Sequence, residues 1–188
     1  MKLISELREQ ISNHFQTSRS CKKYFSASSH RDELAAYYTA KYLLQDSTEG
    51  LWKHRKRGFN NDPLLAYIEI WGVLQAIIIQ QDAIAVLYET FIKASPIIPT
   101  GSKWKVIRDF RNLCSGHPVN KGKEGKKERA FMGRSFGNYK KIKIEVWNQK
   151  KKKTEIREIE LAKLIDEYSA EAANLLHDIV SLLPIKWP

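Results

Sequence analysis

The sequence predicts a mainly α-helical protein, a bundle of about five helices with a small β-hairpin inserted before the last helix. Apolar residues recur every three or four positions over most of the chain, which is the spacing of an amphipathic helix. Residues 63–93 are apolar nearly all round, as expected of a central helix in a bundle. Residues 139–147 instead alternate strictly between apolar and polar side chains, which is typical of a half-buried strand.

Helical spacing defines the first two elements. The first helix, at about residues 2–16, is marked by four apolar residues: Leu3, Leu7, Ile11 and Phe15. After a polar stretch, residues 29–32 fit a capping box, and the second helix continues from there to about Gln45. We expect the residues beyond it, including the basic run 52–58, to form a loop.

The third and fourth helices have recognisable ends. Asp62 can accept hydrogen bonds from the first turn of the third helix, and Pro63 fits that turn because its missing N–H is not needed there. Thr100 or Ser102 can cap the fourth helix, and Gly116 can supply a left-handed stop. Its apolar stripe consists of Val106, Ile107, Phe110, Leu113 and Cys114.

The C-terminal third combines a loop, the hairpin and the last helix. Residues 117–138 are rich in Gly and Lys without periodicity, which predicts a long loop that is either functional or disordered. The hairpin, at about residues 139–158, pairs the strand Tyr139–Trp147 with a weaker strand, Thr154–Arg157. A final long helix starts near Leu161 and is closed by Pro184. We find no internal repeat and expect residues 1–188 to form a single domain.

The basic charge is concentrated in one third of the chain. The 188 residues include 32 Lys+Arg and 21 Asp+Glu, a net charge of +11. Residues 103–153 hold 17 basic and 4 acidic residues, a net +13, so the other residues hold 15 and 17, a net −2. Such a concentration suits a polyanion such as nucleic acid, although a solvated lysine-rich loop has the same composition.

Several classes of protein are disfavoured. The longest apolar stretch, 64–79, is interrupted by Glu69, and the N-terminus lacks the apolar core of a signal peptide, so we expect no membrane span and a cytoplasmic setting. The sequence contains no phosphate-binding glycine loop, nucleophile elbow or zinc-protease motif. The five histidines have no metal-ligand spacing with the two cysteines, and we expect neither metal nor cofactor. Cys114 is interpreted as a small buried apolar residue.

The end of the fourth helix carries an unusual set of polar residues. Arg108, Asn112 and Ser115 lie opposite the apolar stripe at about 100° per residue. Arg111 lies beside them, and His117 follows the helix end. A guanidinium recognises phosphate through two parallel hydrogen bonds, and a histidine exchanges a proton near neutral pH. The set therefore suits a phosphate ligand.

These residues resemble the HEPN superfamily, whose hallmark is Arg, a polar residue and then His after four to six intervening residues. Arg111-Asn112 and His117 fit that motif with five intervening residues, and the ending Gly116-His117-Pro118 looks like one of its common forms. The resemblance extends to the helical layout with a long central helix, and not to the hairpin or to residues 17–60.

The resemblance implies a function. Family members with this motif are typically metal-independent ribonucleases that work as dimers, often toxins or antiviral effectors, whereas others are non-catalytic. By this resemblance His117 exchanges protons with the RNA, Arg111 stabilises the transition state, and Asn112 orients one of them or binds phosphate. The 2′-hydroxyl attacks, leaving a 2′,3′-cyclic phosphate and a 5′-hydroxyl. Some family toxins carry a tyrosine two residues after the histidine, and here that residue is Val119.

The expected partners are RNA, a second copy of the chain, and an antitoxin or regulatory chain. Six residues of helix span about 9 Å, so one Arg and one His reach the same phosphate through a turn at Gly116 or through a dimer. The residues expected to bind nucleic acid are Arg108, Lys121, Lys123, Lys126, Lys127, Arg129 and Arg134. The alternative is a non-catalytic adaptor that dimerises through the same face; a nucleotide-binding helper of a separate catalytic chain is a third hypothesis.

A second pair of residues has the same spacing. Arg8 and His14 are also separated by five residues, but they lie within the first helix, without basic surroundings. We interpret them as solvated helix positions.

Overall fold

The computed structural model describes residues 1–188 and has six α-helices with a four-stranded antiparallel sheet before the last helix. The predicted mainly α class is confirmed, with one more helix and two more strands than expected. The helices are α1 Lys2–Thr17, α2 Arg19–Ser26, α3 Arg31–Arg57, α4 Pro63–Ile92, α5 Lys103–Arg111 and α6 Leu161–Lys186. The strands are β1 Glu128–Phe131, β2 Gly137–Asn138, β3 Lys141–Asn148 and β4 Lys153–Ile159.

The chain divides into two compact units. The first comprises residues 1–52, 76–99 and 169–188, and the second comprises residues 53–75 and 100–168. Helices α3, α4 and α6 each contribute residues to both units. The whole sheet and the end of α5 belong to the second unit, which therefore contains every residue of the expected site.

The first unit contains a helix that sequence patterning missed. Its α1 agrees with the prediction, except that Ile4 is buried in place of the exposed Leu3. Residues 19–26, expected to be a polar connection, form α2. The Ser18 hydroxyl caps this helix by accepting a hydrogen bond from the Cys21 N–H at 3.1 Å. Its buried residues, Cys21 and Phe25, anchor one face in the core.

Helix α3 is longer than predicted and includes the basic run expected to be a loop. Leu44 and Leu51 are buried on one face, and the two residues between them on that face are Ser47 and Thr48. Each hydroxyl donates to a carbonyl one turn back, at 2.6 Å, to Leu43 and Leu44 respectively. These bonds let small polar residues be buried, so the helix continues past the point where the apolar spacing stops.

Helix α4 begins as predicted. The Asp62 carboxylate accepts hydrogen bonds from the Leu64 N–H at 2.8 Å and the Leu65 N–H at 3.3 Å. By length and composition this helix could also cross a membrane, with a mean hydropathy of 1.6 in its most apolar window. The protein buries 56% of that window, as it would the central helix of a bundle.

Strand β3 is the centre of the sheet. It pairs with β1, β2 and β4, all antiparallel, and its side chains Ile142, Ile144 and Val146 are buried as predicted. The expectation that residues 117–138 lack regular structure is wrong, because β1 and β2 lie there. Gly137 has φ 112°, and a Cβ at this position would lie 2.0 Å from the Lys141 carbonyl oxygen, so only glycine fits this turn.

Helix α6 passes through the residue predicted to end it. Pro184 lies inside the last turn, which continues to Lys186. Proline removes one N–H donor but leaves the carbonyls free, and the Trp187 N–H donates to the Leu183 carbonyl at 2.8 Å. The Trp187 side chain is buried, so packing holds the last turn in place.

Candidate functional site

The candidate site is built where α5 changes its winding. Ser102 caps the helix, as predicted, by accepting from the Lys105 N–H at 3.3 Å. Residues Asn112–Gly116 then form a π-helical turn, called the π turn below, closed by the His117 N–H donating to the Asn112 carbonyl at 2.7 Å. The predicted left-handed stop at Gly116 is therefore wrong. Such turns are frequent at functional sites.

The buried side of this helix agrees with the sequence apart from one residue. Ile107, Phe110, Leu113 and Cys114 are buried, whereas Val106 is exposed. Burial raises the pKa of the Cys114 thiol to about 12. The thiol is therefore inert near neutral pH, which agrees with its interpretation as a small buried apolar residue.

The Arg111 guanidinium lies half-buried across the π turn, between two neutral oxygen acceptors. Its Nη1 donates to the Asn112 amide oxygen at 3.1 Å, and its Nη2 donates to the Gln75 amide oxygen at 2.6 Å. Its Nε–H is buried and has no partner in the protein. No carboxylate pairs with this cation, so its charge is uncompensated, and the second N–H of Nη1 and of Nη2 is left to bind an anion.

Gly116 makes room for that arrangement. A Cβ at this position would lie 2.8 Å from Arg111 Nη1 and 3.2 Å from the Asn112 amide oxygen. The φ of Gly116 is not positive, so the requirement for glycine comes from the close approach of the guanidinium and not from the backbone.

His117 leaves the π turn with an exposed side chain. Its φ is −139°, its carbonyl accepts from the Asn120 N–H at 3.2 Å, and its imidazole makes no hydrogen bond. The carbonyl of the next residue, Pro118, accepts from the Ala130 N–H at 2.7 Å, which ties this end of the turn to β1. The structure thus brings Arg111 and Asn112 into contact, and leaves the His117 imidazole free beside them in the chain.

The six predicted nucleic-acid residues that follow the π turn divide into two groups. Lys121 donates to the Asp109 carbonyl at 3.1 Å and lies 3.4 Å from its carboxylate, while Lys127 forms an ion pair with Glu124. These two lysines fix the loop to α5 and to itself. The exposed cations without an ion pair are Lys123, Lys126, Arg129 and Arg134. Arg108 is half-exposed on α5.

The charge counted along residues 103–153 overstates how positive this part of the protein is. Glu155 of β4 pairs with Lys151 at 3.0 Å and with Lys153 at 3.3 Å, and Glu158 pairs with Lys141 at 2.6 Å. Both carboxylates follow the segment 103–153 in the chain, and the pairing of β4 with β3 brings them next to the lysines of that segment. The lysines of the hairpin are therefore partly neutralised.

A histidine network in the second unit was missed from sequence because its members are far apart in the chain. The His54 Nδ1 lies 2.8 Å from the Tyr139 hydroxyl, and its Nε2 lies 3.4 Å from the Glu69 carboxylate. Glu69 also accepts from the Asn60 N–H and from Arg57, each at 2.7 Å. Burial lowers the pKa of His54, and Glu69 offsets part of that change. Burial also raises the pKa of Tyr139 to about 12.

The network joins the last turn of α3 and the second turn of α4 to Tyr139, and burial favours the neutral form of its imidazole. Its sequence signal was the basic run 52–58, which we interpreted as a loop. Gln75, the hydrogen-bond partner of Arg111, could not be identified from the sequence, where it is only one polar residue within an apolar helix.

Arg8 and His14, the second pair with the spacing of the motif, are not solvated as expected. The Arg8 side chain is only 12% exposed and donates to Glu9 at 2.8 Å. The His14 Nε2 lies 2.7 Å from the Trp187 carbonyl oxygen. Both residues have structural contacts in the first unit, and the interpretation as solvated positions is wrong.

Comparison of the chain with protein-family models, curated proteins and solved structures finds no match. The relation to the HEPN superfamily therefore rests on the motif residues, and it stays a prediction.

Proposed function

We propose that this protein is a metal-independent endoribonuclease whose active site is formed by Arg111, Asn112 and His117. The observation that carries the proposal is the Arg111 guanidinium, which is held in place by neutral oxygens with no carboxylate to cancel its charge. An ordered and uncompensated cation beside an exposed imidazole suits the phosphate of a nucleic-acid backbone.

In the proposed reaction the 2′-oxygen of RNA forms a bond to the adjacent phosphorus while the bond to the 5′-oxygen breaks. His117 carries out one of the two proton transfers, taking the proton of the 2′-hydroxyl or supplying one to the leaving 5′-oxygen, and water carries out the other. Arg111 donates to the non-bridging oxygens as negative charge grows on them. Asn112 already accepts from Arg111, so its role is to orient the guanidinium. The products are a 2′,3′-cyclic phosphate and a 5′-hydroxyl.

The proposed dimer is supported by an exposed apolar stripe on α4. Leu64, Ile68 and Trp71 are exposed and lie at helical spacing on the face that also carries Gln75, the partner of Arg111. Exposed apolar side chains in one row are typical of a protein interface. A two-fold axis beside this stripe brings two motifs together. This agrees with the expected use of the polar face that Arg108 of α5 forms with Asn112 and Ser115 of the π turn.

One observation favours the alternative, a non-catalytic adaptor of the same fold. The His117 imidazole has no hydrogen bond that sets its tautomer or orientation, whereas catalytic histidines usually have such a partner. In the adaptor, the same helix face dimerises and the basic residues bind nucleic acid without cleaving it. In the ribonuclease, bound RNA or the second subunit supplies the orienting contact.

Cleavage of end-labelled RNA in EDTA separates the two functions. The ribonuclease leaves 2′,3′-cyclic phosphate ends. Its rate falls about 10²-fold or more in Arg111→Ala, and Arg111→Lys restores it only in part because an ammonium cannot reproduce the guanidinium fork. RNA that is bound but remains intact, or cleavage that Arg111→Ala leaves unchanged, contradicts the proposal and favours the adaptor.

A further inference from the structure

The outer face of the sheet has a side-chain pattern that the proposed active site does not explain. Residues directly opposite each other in antiparallel strands share a face. The pairings place Arg129, Trp147 and Thr154 in one row, and Phe131, Glu145 and Ile156 in the next. Both rows lie on the face opposite Ile144 and Val146, which are buried.

This face is unusually apolar for one that meets water. Phe131 is 63% exposed, Ile156 is 68% exposed and Trp147 is 38% exposed. None of the ring–ring contacts in the protein includes Phe131 or Trp147. The solvent face of an antiparallel sheet normally carries polar side chains, so an exposed aromatic pair on neighbouring strands marks an interaction surface.

The two rings are spaced for stacking. Phe131 lies opposite Glu145, and Trp147 is two residues further along β3, which places the two aromatic residues about 7–8 Å apart on one face. A cleft of about 220 Å³ lies beside Phe131, bordered by Lys143 and Ile156. A cavity of about 150 Å³ holds one benzene ring, so this cleft has room for one planar base.

The charges around the rings indicate which ligand fits. Arg129 lies directly opposite Trp147, is exposed and makes no ion pair. Lys143 borders the cleft, and its contact with Glu158 is long, at 3.9 Å. Proteins that bind single-stranded nucleic acid combine cations, which contact the phosphates, with exposed aromatic rings, which stack on the bases. The same pattern disfavours a second copy of this basic chain.

Glu145 lies between Phe131 and Ile156, in the middle of the face. A carboxylate there is unfavourable for insertion into a bilayer and repels phosphate. It is a good acceptor for the exocyclic amino group at the edge of a stacked base, which cytosine and adenine carry and uracil lacks at that position.

We propose that the outer face of the sheet binds single-stranded RNA, stacking bases on Phe131 and Trp147, with Glu145 selecting bases that present an amino group. The inference rests on the proposed function in that RNA is the ligand, but it does not require that the protein cleaves RNA. The Ala130 N–H donates to the carbonyl of Pro118. Because Ala130 is next to Phe131 and Pro118 is next to His117, this hydrogen bond places the strand that carries Phe131 beside the candidate active site.

Binding of labelled eight-nucleotide RNAs to His117→Ala protein, in EDTA, tests the inference without cleavage. We expect oligo(C) and oligo(A) to bind more tightly than oligo(U). Phe131→Ala and Trp147→Ala should each weaken oligo(C) binding about 5- to 100-fold without changing the salt dependence, because no phosphate contact is lost. Tyr42→Ala removes an exposed aromatic residue from the first unit and should leave binding unchanged.

Further variants distinguish base stacking from simple apolar contact. Phe131→Tyr keeps a π face and should bind like the parent protein, whereas Phe131→Leu keeps apolar area and should bind as weakly as Phe131→Ala. Glu145→Gln should reduce the preference for oligo(C) over oligo(U). Equal binding by the Leu and Tyr variants, binding of anionic vesicles in place of RNA, or no RNA binding at all overturns the inference.

The outcomes also distinguish this inference from the proposed function. RNA binding that needs both rings, in a wild-type protein that cleaves nothing in EDTA, supports the sheet site and contradicts the ribonuclease. Cleavage that depends on Arg111, with binding that is indifferent to both rings, supports the ribonuclease and contradicts the sheet site.

Discussion

Arg111 is held by its surroundings in a way that a motif alone does not specify. The guanidinium bonds to Asn112, one residue away, and to Gln75, which is 36 residues away in the chain. Two amide oxygens fix its position and leave its charge intact, whereas a carboxylate would also compete with phosphate. The site therefore depends on small neutral residues around one cation.

Replacing Gly116 by Ala tests that dependence. A Cβ would meet the end of a flexible side chain, Arg111 Nη1 at 2.8 Å, so the guanidinium moves while the backbone does not. We expect unchanged stability or a gain of about 0.4–1 kcal/mol, because alanine restricts the unfolded chain. We expect RNA cleavage to fall at least 10-fold, since about 1 Å of misplacement can cost about 10²-fold in rate.

The matched control is Gly50→Ala in α3, where a Cβ would meet nothing within 4 Å. Thermal melts and initial cleavage rates of the two variants should agree in stability and differ in rate. Equal rates would show that the position of the guanidinium is irrelevant to cleavage.

The sequence identifies the residues of the motif but not their support. Arg111, Asn112 and His117 are adjacent enough to be found by spacing. Gln75 was not found because it approaches Arg111 only through the packing of α4 against α5. The function of Gly116 was misjudged because a helix-ending glycine usually adopts positive φ, and here the helix widens instead.

At the scale of elements, long periodic segments were predictable and short ones were not. Helix α4 is fixed by its length and its nearly continuous apolar character, and strand β3 by an alternation over eight residues. Helix α2 has only Cys21 and Phe25 to bury, and β1 has four residues, so neither pattern is long enough to fix the type of element. Both are fixed by tertiary contacts: α2 by its core residues and β1 by its register with β3.

The His54 network predicts a pH dependence of stability. Burial holds the pKa of His54 below its ordinary value of 6.5, so the unfolded chain takes up the proton first as the pH falls. The contribution of His54 is therefore full above pH 6.5 and is lost as the pH falls through the folded-state pKa. We expect the free energy of unfolding in urea to decrease from pH 7 to pH 5.5.

His54→Gln keeps a partner for the Tyr139 hydroxyl and cannot titrate, so it should flatten that decrease. His177→Gln changes an exposed histidine of α6 and should keep the wild-type slope. Glu69, the one carboxylate of the network, titrates at lower pH: burial raises its pKa, but hydrogen bonds from Arg57 and the Asn60 N–H hold the pKa below its ordinary value. If the free energy of unfolding of His54→Gln decreased with falling pH as steeply as that of the wild type, the assignment of this decrease to His54 would be wrong.

For the whole molecule, the arrangement of charge matters more than the total. The free cations Lys123 and Lys126 lie in the loop, while Lys121 and Lys127 are paired. For single-stranded RNA the slope of log affinity against log salt is about −0.7 per phosphate contact, so Lys123→Ser/Lys126→Ser should reduce it by about 1.4. Lys22→Ser/Lys23→Ser, with the same charge change in exposed residues of α2, should leave the slope unchanged.

The dimer is a second property of the whole molecule. We expect light scattering at tens of micromolar to give about twice the chain mass of 21.8 kDa. Ile68→Glu should give monomers and lower cleavage, because it places a charge in the exposed apolar stripe of α4. Ile97→Glu adds the same charge at a more exposed position in the first unit and should remain dimeric. Monomeric wild-type protein would exclude the dimer.

The single-turnover cleavage rate of RNA in EDTA, measured for His117→Ala beside His177→Ala, tests the proposed mechanism most directly. Both histidines are exposed, so both variants should fold like the wild type. We expect His117→Ala to be slower by about 10²- to 10⁴-fold, the usual contribution of a proton-transfer group, and His177→Ala to match the wild type. Equal rates for the two variants, or wild-type cleavage that EDTA abolishes, would contradict the proposed mechanism.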